Sequence, residues 1–209
     1  MTDEQAYWAA VRTVRLGVAD LLDSLTVAEW DAPSLCRGWR VRDVAGHLSS
    51  VPTITTWSMM RVGPRAGFNP NRINTVVALR HGSRPADQIV GAIREHASER
   101  HVARVLDARN CLFDAIVHSQ DIAIPLGREF AVPAAFSREG LERVWAMGWP
   151  FNARRRLAGL RLTATDTDWT VGAGPEVAGS ALSLLLLLTG RASTVVDSLN
   201  GPGVPSLSN

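Results

Sequence analysis

A chain of 209 residues, 46% hydrophobic and 20% charged, can bury one substantial core or divide into a main domain and a small one. A formal net charge of +2 argues against nucleic acid as a partner, because such binding usually shows a clustered basic face as well as an excess of charge. The most apolar run, residues 184–188, is far shorter than the roughly 20 residues of a membrane span, and the N-terminus is acidic where an export signal is basic.

In chain order, Val11, Val14, Val18, Leu21, Leu22 and Leu25 recur largely at intervals of three and four residues, predicting an amphipathic helix over 5–25 with Thr2 or Asp3 to cap it. After a turn around Pro33 and Gly38, Val41, Val44, Ala45, Leu48 and Val51 repeat the spacing, so a second helix is expected from Arg40 to about Met60, kinked at Pro52. Residues 63–71, rich in Gly, Pro and Asn, read as a loop, with helix resuming over 73–79. Pro85 suits a first helical turn and opens a helix through Ile89, Val90 and Ile93 toward Leu106. The next helix, about 108–124, is apolar nearly all round and should lie inside a bundle, ended by Pro125 and Gly127. A further helix is expected over 137–149, and Trp39, Trp57, Trp145 and Trp149 read as core and domain-junction packing.

From Leu160 the period changes. Leu160, Leu162 and Ala164 alternate with polar residues, 166–168 reads as a turn, and Trp169 and Val171 alternate again, predicting a hairpin. A third short strand around Glu176 and Val177 and the leucine-rich helix follow. The simplest architecture is α+β and mainly α: a helical bundle over 1–150 and a small α/β domain over 151–209. The run Arg154-Arg155-Arg156, with Arg161 nearby, reads as a solvated basic stripe near the junction.

On the central helix, Cys111, Asp114, His118 and Asp121 are spaced three, four and three residues apart, which places them on one stripe. A polar stripe on a buried helix demands partners, since desolvating an ionisable group costs several kcal/mol unless a hydrogen bond, a counter-charge or a metal offsets it. Asp114 and His118 fit a shared divalent ion or an ordinary buried ion pair equally well. His47 is the candidate third ligand, or a histidine bonding a carbonyl at the bundle edge; two histidines and a carboxylate match an open zinc, ferrous or nickel site. Asp121 fits a carboxylate orienting His118 or a plain helix-end acid, and Cys111, one turn before Asp114, reads better as a small buried hydrophobe than as a thiol approaching the metal. Cys36 and Cys111 look like isolated thiols of a reducing cytosol.

Trp30, Pro33-Ser34-Leu35-Cys36-Arg37-Gly38-Trp39 and Val41-Arg42-Asp43-Val44-Ala45-Gly46-His47-Leu48 together resemble the second-helix signature of the mycothiol-dependent maleylpyruvate isomerases and related DinB-like proteins. Residues 114–122 resemble the second metal motif of that family, and Trp169-Thr170-Val171-Gly172, Gly174-Pro175-Glu176-Val177, Leu188-Thr189-Gly190-Arg191 and Gly201-Pro202-Gly203-Val204 its small C-terminal domain. The resemblance implies a DinB-like four-helix bundle followed by a small α/β domain, with His47, Asp114 and His118 at the zinc-ligand positions. It puts Arg191 at the position of a functionally important arginine, which would hold a carboxylate of substrate or cofactor; a surface arginine after a helix stop is the plainer alternative. Two residues depart from the family pattern: Asp114 stands where glutamate is usual and reaches one methylene less far, and Arg40 where threonine commonly caps the second helix.

The implied function is a cytoplasmic, divalent-metal-dependent enzyme, with zinc as the expected ion. It would activate mycothiol for isomerisation of, or thiol transfer to, a small electrophilic substrate. The alternatives are a non-catalytic metal- or small-ligand-binding bundle and a purely structural one. All basic residues being arginine, with no lysine, fits a GC-rich genome such as that of an actinobacterium. Exposed apolar helix faces would permit a homodimer.

Overall fold

In a computed structural model, which describes residues 3–53, 62–100 and 107–208, the first helix is Glu4–Asp23 (α1). Asp3 starts it by accepting a hydrogen bond from the Gln5 N–H, a donor with no partner inside the first turn. The short helix Val27–Trp30 (α2) begins with a capping box in which Thr26 and Glu29 each accept from the other's backbone N–H.

Val41–Ser50 (α3) follows. Arg40 offers no acceptor at its cap, but buried Asp43 reaches back and accepts from the Arg40 N–H at 2.9 Å. Regular helix ends at Ser50 and tightens into the 3-10 turn Val51–Thr53, so Pro52 marks a helix end where the sequence predicts a kink. The rest of the predicted helix, with Trp57, lies outside the described residues.

Pro70–Gly82 (α4), capped by Asn69, and Ala86–Glu95 (α5), behind Pro85, come next. The periodicity predicts α5 to continue toward Leu106, but it stops at Glu95, and the carbonyls of His96, Ala97 and Glu99 accept from Nη1 of the buried Arg15. Leu106 itself is outside the described residues. Ala108–Ala123 (α6) starts at Asp107, whose carboxylate accepts from the Asn110 N–H, and passes through the 3-10 turn Ile124–Leu126 to Gly127.

α1 and α3 each pack against both α5 and α6, which closes a four-helix arrangement, and α4 lies against α3. Val11, Val14, Val18 and Leu22 of α1 and Leu112, Ile116 and Ile122 of α6 are buried. Each such side chain contributes roughly 1.5–3 kcal/mol. α3 and α4 touch backbone to backbone: a Cβ on Gly46 would lie 2.2 Å from the Gly82 nitrogen and 2.6 Å from the Ala78 carbonyl oxygen, so only glycine fits. The next residue after this crossing is His47.

The chain divides into the compact units Met1–Phe130 and Ala131–Asn209. The helix Ala134–Ala146 (α7), read from sequence as part of the 1–150 bundle, therefore falls in the second unit, because it packs against the leucine-rich helix. Within this unit the short helix Ala153–Arg156 (α8) precedes strands Arg161–Ala164 (β1), Thr170–Gly172 (β2) and Glu176–Gly179 (β3), in the order β2-β1-β3. β1 runs antiparallel to β2, the predicted hairpin, and parallel to β3, with Leu162 opposite Val171 on one side and Val177 on the other. Ala181–Leu188 (α9) and Ala192–Val195 (α10) follow.

The arginine run is used inside the unit. Arg156 donates to the Leu188 carbonyl at the end of α9, and Arg154 stands over the Trp145 ring at 5.7 Å. Trp149, expected in packing, is exposed. Mainly helical with one small three-stranded sheet, the fold matches the α+β class read from sequence. No described helix is long and apolar enough to cross a membrane.

Candidate metal centre

The glycine crossing of α3 and α4 sets the depth of α3, and packing of α3 against α6 turns His47 toward Asp114 and His118. His47 Nε2 lies 3.1 Å from Asp114 Oδ2, and His118 Nε2 lies 3.5 Å from Asp114 Oδ1. One donor atom from each of the three residues falls within 4.8 Å of the others. A tetrahedral ion with bonds of about 2.0–2.1 Å holds its donors roughly 3.3 Å apart, so the carboxylate-to-imidazole spacings suit one ion among them.

The far edge of His118 decides what its near edge can do. Its Nδ1 is 2.8 Å from Asp121 Oδ2, and Asp121 is fully buried. A carboxylate only accepts, so Nδ1 carries a proton on that edge, and the lone pair of the ring that can take up a second proton or a metal ion is at Nε2. That lone pair faces Asp114 Oδ1, a second acceptor. Two acceptors 3.5 Å apart need a cation between them, either a second proton on the ring or a metal ion.

The electrostatics run the same way. Burial opposes ionisation of Asp114, but the positive charge of His47 and His118, a hydrogen bond from His47 and the Arg15 guanidinium outweigh it and lower its pKa to about 2. Asp114 is thus a carboxylate at neutral pH. Burial opposes a charge on His47, but Asp114 outweighs it and lifts the pKa above the ordinary value. His47 Nδ1 is buried without a well-formed hydrogen bond, although Asn74 of α4 lies near enough to favour the charged ring.

Of the remaining stripe, Cys111 is buried, and burial raises its thiol pKa to about 12, so it stays protonated. Arg191 follows Gly190, the stop of α9, and its Nη1 donates to the Thr189 carbonyl; it belongs to the second unit.

Two residues of the centre were not singled out from sequence. Cys36 Sγ is 3.1 Å from Asp121 Oδ2 and 3.6 Å from His118 Nδ1. Trp39, read as packing, has its ring stacked at 6.3 Å on His118 and tilted at 5.9 Å to His47. Both sit in the segment before α3, where no periodicity applies; the only signal was their presence in the 33–39 motif.

The sequence profile of the mycothiol maleylpyruvate isomerase N-terminal domain matches residues 11–123. Among solved structures, the crystal structure of the mycothiol-dependent maleylpyruvate isomerase is similar at 13% identity and a TM-score of 0.65, covering 96% of this chain and 93% of that one. A histidine-to-alanine mutant of that isomerase matches at 12% identity with the same coverage and TM-score. At such identity the likeness is one of fold. No curated protein matches the chain.

Proposed function

Because the chain belongs to the mycothiol maleylpyruvate isomerase N-terminal domain family, we propose that it is a divalent-metal-dependent enzyme that activates mycothiol for isomerisation of, or thiol transfer to, a small electrophile. The observation that carries this reading is the convergence of His47 Nε2, His118 Nε2 and the Asp114 carboxylate, with donor atoms all within 4.8 Å of one another. Two imidazoles and one carboxylate are the donor set of an open catalytic site, and zinc suits them best.

His47, Asp114 and His118 would hold the ion. When bound, it would lower the pKa of a thiol so that a thiolate exists at neutral pH. Asp121 keeps the His118 proton on Nδ1 and so keeps Nε2 available as a ligand. Trp39 covers one imidazole face and limits water there. Arg191 would hold a carboxylate of substrate or thiol through its forked donors. The setting is the cytoplasm, with a small-molecule substrate and a low-molecular-weight thiol as partners.

Elemental analysis after gentle purification should find about one equivalent of divalent metal per chain. Mycothiol-dependent turnover of small unsaturated keto acids or alkylating electrophiles should vanish with a chelator. Protein that takes up none of zinc, nickel, iron or manganese when these are supplied overturns the proposal. Stoichiometric metal without any thiol chemistry leaves the non-catalytic metal- or small-ligand-binding protein.

A further inference from the structure

His118 is the junction of two clusters. Its Nε2 edge belongs with His47 and Asp114, while Cys36 Sγ, Asp121 and His118 form a second group whose donor atoms also lie within 4.8 Å of one another. The second group has an S, N, O donor set and invites a reading as another metal site. The proton on His118 Nδ1 argues against that. An ion among Cys36, Asp121 and Nδ1 would have to displace the proton that Asp121 holds at 2.8 Å, and a ring serving both clusters at once would have to be an imidazolate.

The second group is better accounted for as a support. The Cys36 S–H and the His118 Nδ1–H both donate to Asp121 Oδ2, at 3.1 and 2.8 Å. The neighbouring Leu35 N–H donates to the Asp121 backbone carbonyl at 3.1 Å, and Trp39 stacks on the His118 face. The segment 33–39 is therefore fastened to α6 through residue 121, and it runs directly into α3, which carries His47.

We propose that Cys36 is a positioning residue: its thiol fixes the Asp121 carboxylate, which in turn holds the Nδ1 edge and so the orientation of the His118 ring, with Nε2 at the position shared with His47 and Asp114. This rests on the metal-centre reading for its consequence, but the arrangement itself exists without the ion. Without the thiol donor, the fully buried carboxylate loses one of its hydrogen bonds, and the His118 ring that it holds at Nδ1 is less firmly aimed at the position shared with His47 and Asp114. Serine retains a donor, though its shorter Cβ–O bond reaches less far than Cβ–S.

Cys36→Ala and Cys36→Ser are the test, read in two ways. On the metal-free protein, NMR of the His118 ring should show an Nδ1–H proton protected from exchange with water in wild type, faster exchange in Cys36→Ala and recovery in Cys36→Ser. With cobalt(II) as the probe, competition titration should give an affinity roughly tenfold weaker for Cys36→Ala, within the range that loss of an outer partner usually costs, largely restored in Cys36→Ser. In Cys36→Ala, an Nδ1–H exchange rate or an affinity equal to that of wild type overturns the proposal. So does a sulfur-to-cobalt charge-transfer band in wild type that Cys36→Ala lacks, since Cys36 would then be a ligand itself. If wild type binds no metal, the proposed function fails, and the exchange measurement alone still decides the role of Cys36.

Discussion

α6 and α9 are both buried nearly all round, and they use that burial differently. In α9, Leu184, Leu185, Leu186, Leu187 and Leu188 are all buried, no ionisable residue interrupts them, and the Ser180 cap opens the helix while Arg156 donates to the Leu188 carbonyl at its end. α6 is buried along most of its length, but it carries the fully buried Asp121 and the partly buried Asp114 and His118. Each of those groups costs desolvation free energy that leucine would not, and each is met by a specific partner. One helix serves stability and the other carries a stability cost that a metal centre would explain. That contrast can be broken or sharpened by substitution.

The largest effect is expected at the centre. His118→Ala should abolish metal uptake, by more than the roughly 10–100-fold that losing an outer partner costs, while circular dichroism stays helical because the apolar faces hold the bundle. Unchanged metal affinity removes His118 from the ligand set. A collapse of helicity breaks the contrast itself, since α6 would then owe its stability to its polar stripe.

Leu185→Ala is the converse. Removing a fully buried leucine from α9 should destabilise the protein by about 2–5 kcal/mol through lost burial and the cavity left behind. Urea unfolding measures this, and metal content per folded chain should not change. Arg191→Ala is expected to be milder. Under the proposed function it weakens binding of mycothiol by about tenfold, as loss of a bidentate carboxylate contact does, without releasing metal, and Arg191→Lys restores it only in part. Isothermal titration of mycothiol into metal-loaded protein checks it, and equal affinities would reduce Arg191 to its contact with the Thr189 carbonyl.

What the sequence disclosed follows the same division. The stripe 114–118–121 was legible because helical periodicity fixes which residues share a side, the apolar face of α1 for the same reason, and α9 because its leucines form an unbroken apolar run. The closure of residues 33–39 onto α6 was not, because a bond from Leu35 to Asp121 joins positions that no local pattern relates. Helix ends were missed where long-range partners set them, as with Arg15 at the turn after α5. α7 was read with the bundle because an amphipathic face does not name its partner, and that partner is α9, later in the chain. Trp149 was read as packing from its side-chain type alone, yet it is exposed.

The smallest expected effect is a pH dependence that differs between metal-free and metal-loaded protein. Asp114 has its pKa lowered from 3.8 to about 2 in the folded chain, so its contribution is fully present above 3.8 and is lost as the pH falls toward 2. His47 is shifted the other way, above 6.5, so its contribution is fully present below 6.5 and is lost as the pH rises through the raised value. The metal-free pair is therefore most stabilising between 3.8 and 6.5. Metal binding needs the His47 lone pair that the proton occupies, so affinity for zinc should fall as the pH drops below the raised His47 value. Thermal melts from about pH 4 to about pH 9 should show Tm declining by on the order of a few degrees above pH 6.5 with a chelator present, and holding or rising over that range with zinc. Parallel curves in the two conditions would mean that His47 keeps its proton whether or not metal is present. The ligand set would then shrink to Asp114 and His118, and the stripe on α6 would be an ion pair whose partners happen to face α3.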